Sequence, residues 1–319
     1  MSEVTEIHAW VGGQVDADSH GDVTFGVRRG AWRADLYTDT VELAWEPQSP
    51  HGKAWVALRA NGMSAELFIS PWANGAPDPA RAMMAAYAGA DLGAYRYGPA
   101  GTYFGGAGWV RAYFFDPYGG GARAFVGNGD ATLGIWRSEF SAALRAGAHI
   151  EAAGGAPALQ PHLQAELAWH PDTVVAPVAN AWAALAQGET AVTRTRIGGL
   201  TPYGVPMPGA AWAEWWVEDY AAARIGLAAG STGMNEPASV VRGRGSLTGE
   251  LAWMSAPYGD VDAPRLAMGF SAGGTVTWRR TYLSTDVGYA PWIPRAPGVT
   301  RVSVFFRLGL DWSEVSPAR

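Results

Sequence analysis

The sequence contains no cysteine, which excludes a disulfide framework and a thiolate metal site. Lysine is almost missing as well. Lys53 is the only one, and with a formal net charge of −6 the chain offers no basic stripe of the kind nucleic acid requires. Nucleic acid is therefore not an expected partner. No apolar run approaches the roughly 18 residues of a membrane-spanning helix. The first residues, MSEVTEIHAW, lack the basic and apolar regions of a secretory signal.

The six histidines, His8, His20, His51, His149, His162 and His170, contain no HExxH-type ligand pair, so neither a metal nor a cofactor is expected. His162, Glu166 and His170 share one parity and read as hydrogen-bonded polar residues on one face of a strand. "GFSAG", Gly269–Gly273, has the spelling of a hydrolase nucleophile elbow, but an elbow leads from strand into helix and needs a later histidine. The residues after it alternate like a strand, and no histidine follows His170. No enzymatic activity is expected.

What the chain does have is tryptophan, at 16 copies, and glycine, at 42, against a charged fraction of only 16%. Soluble domains carry about a quarter charged residues, so this balance suits a protein with little surface in bulk water. The 319 residues show no compositional break or fixed repeat, and residues 1–319 read as a single domain.

Period-two alternation runs almost from end to end. If Thr38 and Asp39 form a turn in "WRADLYTDTVELAWE", Trp32 faces Trp45, Ala34 faces Leu43 and Leu36 faces Val41, while Arg33, Asp35 and Glu42 fall on the other face. Asn61-Gly62, a strong hairpin signal, reads as a second turn, with Arg59, Lys53 and Glu66 on the polar face. A third hairpin is expected at Ala272–Gly274, pairing Leu266, Met268 and Phe270 with Val276 and Trp278. Across Arg28–Gly30 the apolar parity changes, which fits either a tight turn or a bulge. Ser138–Ala153 reads as strand, with Arg137 and Glu139 among its polar residues. Asp78–Asp91 begins Asp-Pro-Ala-Arg and reads as a short helix in a long connection, entering a lumen or packing on a rim. The whole reads as an all-β antiparallel meander of about 14 to 18 strands.

Alternation does not say which face is inside. A soluble lipocalin-like barrel, serving as an enzyme or carrier for an apolar ligand, buries the oily face; a membrane barrel turns that face to lipid and its polar face to the lumen. Tryptophans at strand ends, Trp32, Trp45, Trp278 and Trp312, fit the lipid–water interface. Short turns alternate with long connections such as 71–101, as in membrane barrels. In "VTRVSVFFRLGLDW", Val299–Trp312, the alternation and aromatic end resemble the terminal strand of bacterial outer-membrane β-barrels. "RIGGLTPYGVPMPGAAWAEWW", Arg196–Trp216, is loosely similar to segments of outer-membrane secretion barrels.

The resemblance implies a transmembrane β-barrel in the outer membrane, its leader removed and its exterior in contact with lipid. It implies a passive pore for small polar solutes, or a structural or assembly component with a membrane protein partner or further copies of itself. Arg33, Asp35, Glu42, Arg59, Glu66, Arg137 and Glu139 are the expected lumen or constriction residues. Asp35 opposite Glu42 is a like-charge pair that needs compensation. It reads either as a charged constriction or as a ladder neutralised by arginine.

Overall fold

The computed structural model describes residues 3–16, 20–64, 72–73, 76–77, 85–115, 123–152, 157–169, 171, 174–185, 195–200, 205–211, 214–230, 241–255 and 265–316. Sixteen strands close into one antiparallel meander barrel. They are β1 Glu3–Val15, β2 His20–Arg29, β3 Trp32–Tyr37, β4 Thr40–Trp45, β5 Gly52–Ser64, β6 Ala85–Tyr97, β7 Thr102–Phe115 and β8 Arg123–Trp136, then β9 Phe140–Ala152, β10 Ala158–Trp169, β11 Val175–Leu185, β12 Asp219–Gly230, β13 Val241–Ser255, β14 Leu266–Trp278, β15 Thr281–Tyr289 and β16 Val302–Ser316. Each pairs with its chain neighbours, and β16 closes on β1 from Ser316 opposite Glu3 to Val304 opposite Val15. Closure removes every sheet edge from the wall, as an apolar surrounding demands.

The barrel is oily outside and polar inside. Leu36, Val41, Leu58, Leu92, Val110, Leu133, Leu247 and Leu308 are exposed, while Asp35, Glu42, Thr132, His149, His162 and Glu250 are buried. A soluble carrier would show the reverse sorting, so that alternative is corrected: this exterior is stable only in contact with hydrocarbon.

An even strand number brings both termini to one rim. There most connections are short, at 30–31, 46–51, 98–101, 137–139, 170–174 and 279–280, with 231–240 longer; the opposite rim carries the long 65–84, 186–218 and 290–301 as well as the two-residue 38–39 turn. The β3–β4 hairpin has the expected register, with Trp32 opposite Trp45 and Asp35 opposite Glu42. Arg28–Gly30 resolves as a tight turn: Arg29 pairs with Trp32, and Gly30 takes φ 59°.

Three expected local structures differ. Asn61-Gly62 lies inside β5, where the register against β6 slips between Asn61 and Ser64 and the Gly62 amide donates to the Asp39 carbonyl at 2.8 Å. The signal that suggested a turn marks a bulge. Ala272–Gly274 lies inside β14; a Cβ at Gly273 would sit 2.0 Å from Asp286 Oδ1, so glycine here makes room for a neighbouring side chain. The expected helix over Asp78–Asp91 is strand from Ala85 onward, and 78–84 lie outside the described residues. Alanines at 86, 88 and 90 alternate with Tyr87, Gly89 and Asp91, a period of two within an alanine-rich stretch.

Candidate functional site

The lumen holds two constructions. The first is a charge ladder across seven strands. Arg33 of β3 bonds Asp35 at 2.9 Å, Glu42 at 2.5 Å and Glu46 at 3.1 Å. His8 of β1 contacts Asp35 at 3.2 Å, and Arg28 of β2 contacts Glu46 at 3.6 Å. Arg59 of β5 joins Glu42 to Asp91 of β6, the latter at 3.0 Å, and Arg111 of β7 bonds Asp91 at 2.9 Å. Alternation places each residue inward, and antiparallel pairing sets them side by side. Four arginines, Arg28, Arg33, Arg59 and Arg111, meet four carboxylates, Asp35, Glu42, Glu46 and Asp91. The geometry is that of the arginine-neutralised ladder: each acid is engaged by a cation already in the wall.

Of the expected lumen residues, the structure brings Arg33, Asp35, Glu42 and Arg59 together. Arg137 and Glu139 stand apart from them, exposed in the β8–β9 turn, where Arg137 Nε donates to the Ala100 carbonyl at 3.2 Å. They extend the parity of a strand that begins only at Phe140. Glu66 lies outside the described residues. Trp32, Trp45 and Trp278 face outward at strand ends on the short-turn rim, joined there by Trp169. Trp312 falls in β16 on the same rim, with its side chain outside the described residues.

Further round the wall, His162 bonds Asp130 at 2.5 Å and stacks on His149 with ring centroids 4.1 Å apart. Arg145 bonds Glu166 at 2.8 Å. His170 lies outside the described residues. Among the described residues no group of three His, Cys, Asp or Glu side chains could hold a metal ion. At the short-turn mouth a cavity of about 520 Å³ is lined by Arg28, Glu46, Ser49, Lys53 and Tyr97.

The second construction is the connection between β11 and β12, which folds back into the barrel. Thr195–Ile197 pairs with Trp215–Val217, and Ile197, Met207, Trp215 and Val217 pack against the inward-facing Ala222, Ala252, Met254 and Ala267. Its docking is specific. Gln14 of β1 accepts from the Leu200 amide at 2.7 Å, and its amide group donates to the Ala210 carbonyl at 3.4 Å. The Gly209 amide donates to Ser303 Oγ at 2.9 Å. Glu214 forms a two-pronged ion pair with Arg295 of the 290–301 connection, the two side chains being 2% and 1% exposed. Wall glycines permit the close approach. A Cβ at Gly269 would meet the Pro208 carbonyl at 2.4 Å, and one at Gly288 would meet Pro208 Cβ at 2.7 Å. Gly209 itself has φ 78°.

This segment's Gly/Pro/Trp composition was visible in the sequence, but its place was not. The sequence yields only a loose likeness to segments of secretion barrels, because nothing local distinguishes a loop over a rim from one folded inside. Gln14, Glu214 and Arg295 were missed for the same reason.

Solved structures share this architecture. CdiB from Acinetobacter baumannii matches 97% of the chain with a TM-score of 0.65 at 10% identity, and CdiB from Escherichia coli matches 97% with 0.66 at 11%. BamA from Haemophilus ducreyi lacking POTRA domains 1–3 matches 97% with 0.59 at 10%. The chain has the fold of a bacterial outer-membrane β-barrel. That fold and its oily exterior place it in the outer membrane. It spans 60% and 63% of the two CdiB chains and 70% of the BamA chain. No family model and no curated protein matches its sequence.

Proposed function

We propose that this outer-membrane barrel is an assembly or secretion component rather than an open pore for small polar solutes. The observation that carries the reading is the docked 195–217 segment. An unobstructed barrel of this strand number leaves an aqueous channel. Here an apolar hairpin and a buried ion pair occupy part of that space, held by Gln14 on β1, Ser303 on the adjacent β16 and Arg295 in the 290–301 connection, and packed on the inward faces of β12 to β14. A diffusion pore uses an inward segment to narrow its channel, whereas one docked through an apolar core and a buried ion pair suits a barrel that opens when a client polypeptide or partner displaces it. The likeness in fold to the CdiB and BamA barrels agrees with this reading. In such barrels short turns face the periplasm, which sets the docked segment towards the extracellular half. Outer-membrane lipid and a membrane protein partner, or a second copy, are the partners this reading implies.

Planar-bilayer recording of the refolded chain tests it. The expected result is a barrel closed most of the time, with brief openings. A steady, ohmic current of the size given by an empty 16-strand barrel overturns it and assigns a passive pore.

A further inference from the structure

The wall is not of uniform height. Strands β3 and β4 have 6 residues each, between β2 with 10 and β5 with 13. Trp32 and Trp45 close the hairpin on the short-turn rim and face outward, level with the interfacial band. Six residues at about 3.4 Å reach about 20 Å, and a tilt near 40° leaves about 15 Å along the membrane normal, against an apolar band about 25 Å tall. The hairpin tip therefore ends about 10 Å short of the far interface.

On either side the wall continues past the tip, as His20–Val23 on β2 and Gly62–Ser64 on β5; no described strand stands between them. The floor of this gap is polar. Thr38 donates to Asp22 at 2.5 Å and accepts from the Val23 amide at 2.7 Å. Thr40 donates to Asp39 at 3.0 Å and accepts from Asn61 at 3.0 Å. Asp22 and Asn61 take the lumen parity of their strands, whereas Thr38 and Asp39 form the tip itself, Thr38 exposed and Asp39 half-buried, at a depth where hydrocarbon would stand outside the wall. Charge at that depth is tolerated only where water reaches it.

We propose that this gap is a lateral notch in the barrel wall, at which water and hydrated lipid headgroups of the long-connection leaflet descend into the apolar layer to meet Thr38 and Asp39 at the hairpin tip. The bilayer beside β3 and β4 is locally thinned. The inference needs only the membrane barrel and stands apart from the assembly or secretion reading.

The absence of cysteine makes the test direct. D39C, with T38C as a second variant, is refolded into lipid nanodiscs and reacted with a charged, membrane-impermeant maleimide. R137C, in an exposed turn, is the water control. A112C is the lipid control: Ala112 lies across the ladder from Val41 through Ala60 and Ala88 and shares the outward parity of the exposed Val110, but on the 14-residue β7. Heat-modifiable migration on gels verifies folding of each. The expected result is that D39C or T38C reacts at a rate comparable to R137C, and A112C at least about tenfold more slowly, because hydrocarbon excludes the reagent. A fluorophore at position 39 should be quenched by nitroxide on headgroups rather than in mid-chain. Equal rates at positions 39 and 112, or quenching from mid-chain, overturn the notch.

Discussion

Replacing Arg295 by alanine gives the sharpest test of the docked segment. The guanidinium holds both oxygens of Glu214, and both side chains are shielded from water. Its removal leaves a buried carboxylate without its facing cation, the Ala211 amide still donating to it at 2.8 Å. Breaking one side of a buried ion pair costs about 3–5 kcal/mol, and each 1.4 kcal/mol is tenfold in an equilibrium constant. The docked state should lose roughly two to three and a half powers of ten relative to any state in which Glu214 reaches water. Because the segment lies in the lumen and not in the wall, this energy should appear in current rather than in barrel stability. Planar-bilayer recording of R295A should show openings that are longer and more frequent, while heat-modifiable migration stays as in the parent. The double variant E214M/R295M, which removes both charges and keeps the volume, should restore quiet traces, since an apolar pair can replace a buried ion pair. R295A traces indistinguishable from the parent, with the barrel folded, would refute the assignment of the pair as the segment's anchor.

The other predictions address the wall and the remaining docking contacts. R33A strands Asp35 and Glu42 opposite each other without their shared cation, and thermal unfolding in detergent should register a loss of several kcal/mol; an unchanged midpoint would mean the ladder is not stabilising. E42Q removes one charge and keeps one acceptor oxygen for Arg33 or Arg59; on the neutralised-ladder reading it should leave ion preference unchanged in bilayer recordings, whereas a shift in reversal potential would restore the cation-site reading. G209A must adopt φ 78° and bring a Cβ to 2.1 Å from the Ala290 amide nitrogen; left-handed backbone alone costs about 1–2 kcal/mol, so openings should rise as in R295A. Q14L removes two hydrogen bonds to the segment and leaves Leu200 N–H unpaired, a cost of about 1–3 kcal/mol. Its openings should also increase, and unchanged gating would show that β1 does not hold the segment.

Much of the wall was legible because one cause acts on every strand. A barrel strand separates two environments, and a side-chain period of two sorts residues between them, so Leu36, Val41 and Leu43 part from Asp35 and Glu42 in the text itself. Turn chemistry was a poorer guide. Asn61-Gly62 and Gly273-Gly274 carry turn residues, yet the first marks a bulge beside the short hairpin and the second gives room to Asp286. Both roles depend on strands distant in sequence. Arg137 and Glu139 were assigned inward by parity alone, but parity has no meaning beyond the last paired residue.

The amino-acid sequence determined the strand periodicity, the two chemically opposed faces and the register of the 32–45 hairpin, since each depends on residues within a few positions. It did not determine which face met lipid. That choice, and the closure of β16 on β1, is a property of the whole sheet. Tertiary structure alone decided that 195–217 lies within the barrel and that Glu214 meets Arg295, because a loop's destination is fixed by the cavity that receives it. It also decided that β3 and β4 stand lower than their neighbours in the wall. The lengths could be counted from the chain, but a notch exists only once the flanking strands rise on both sides.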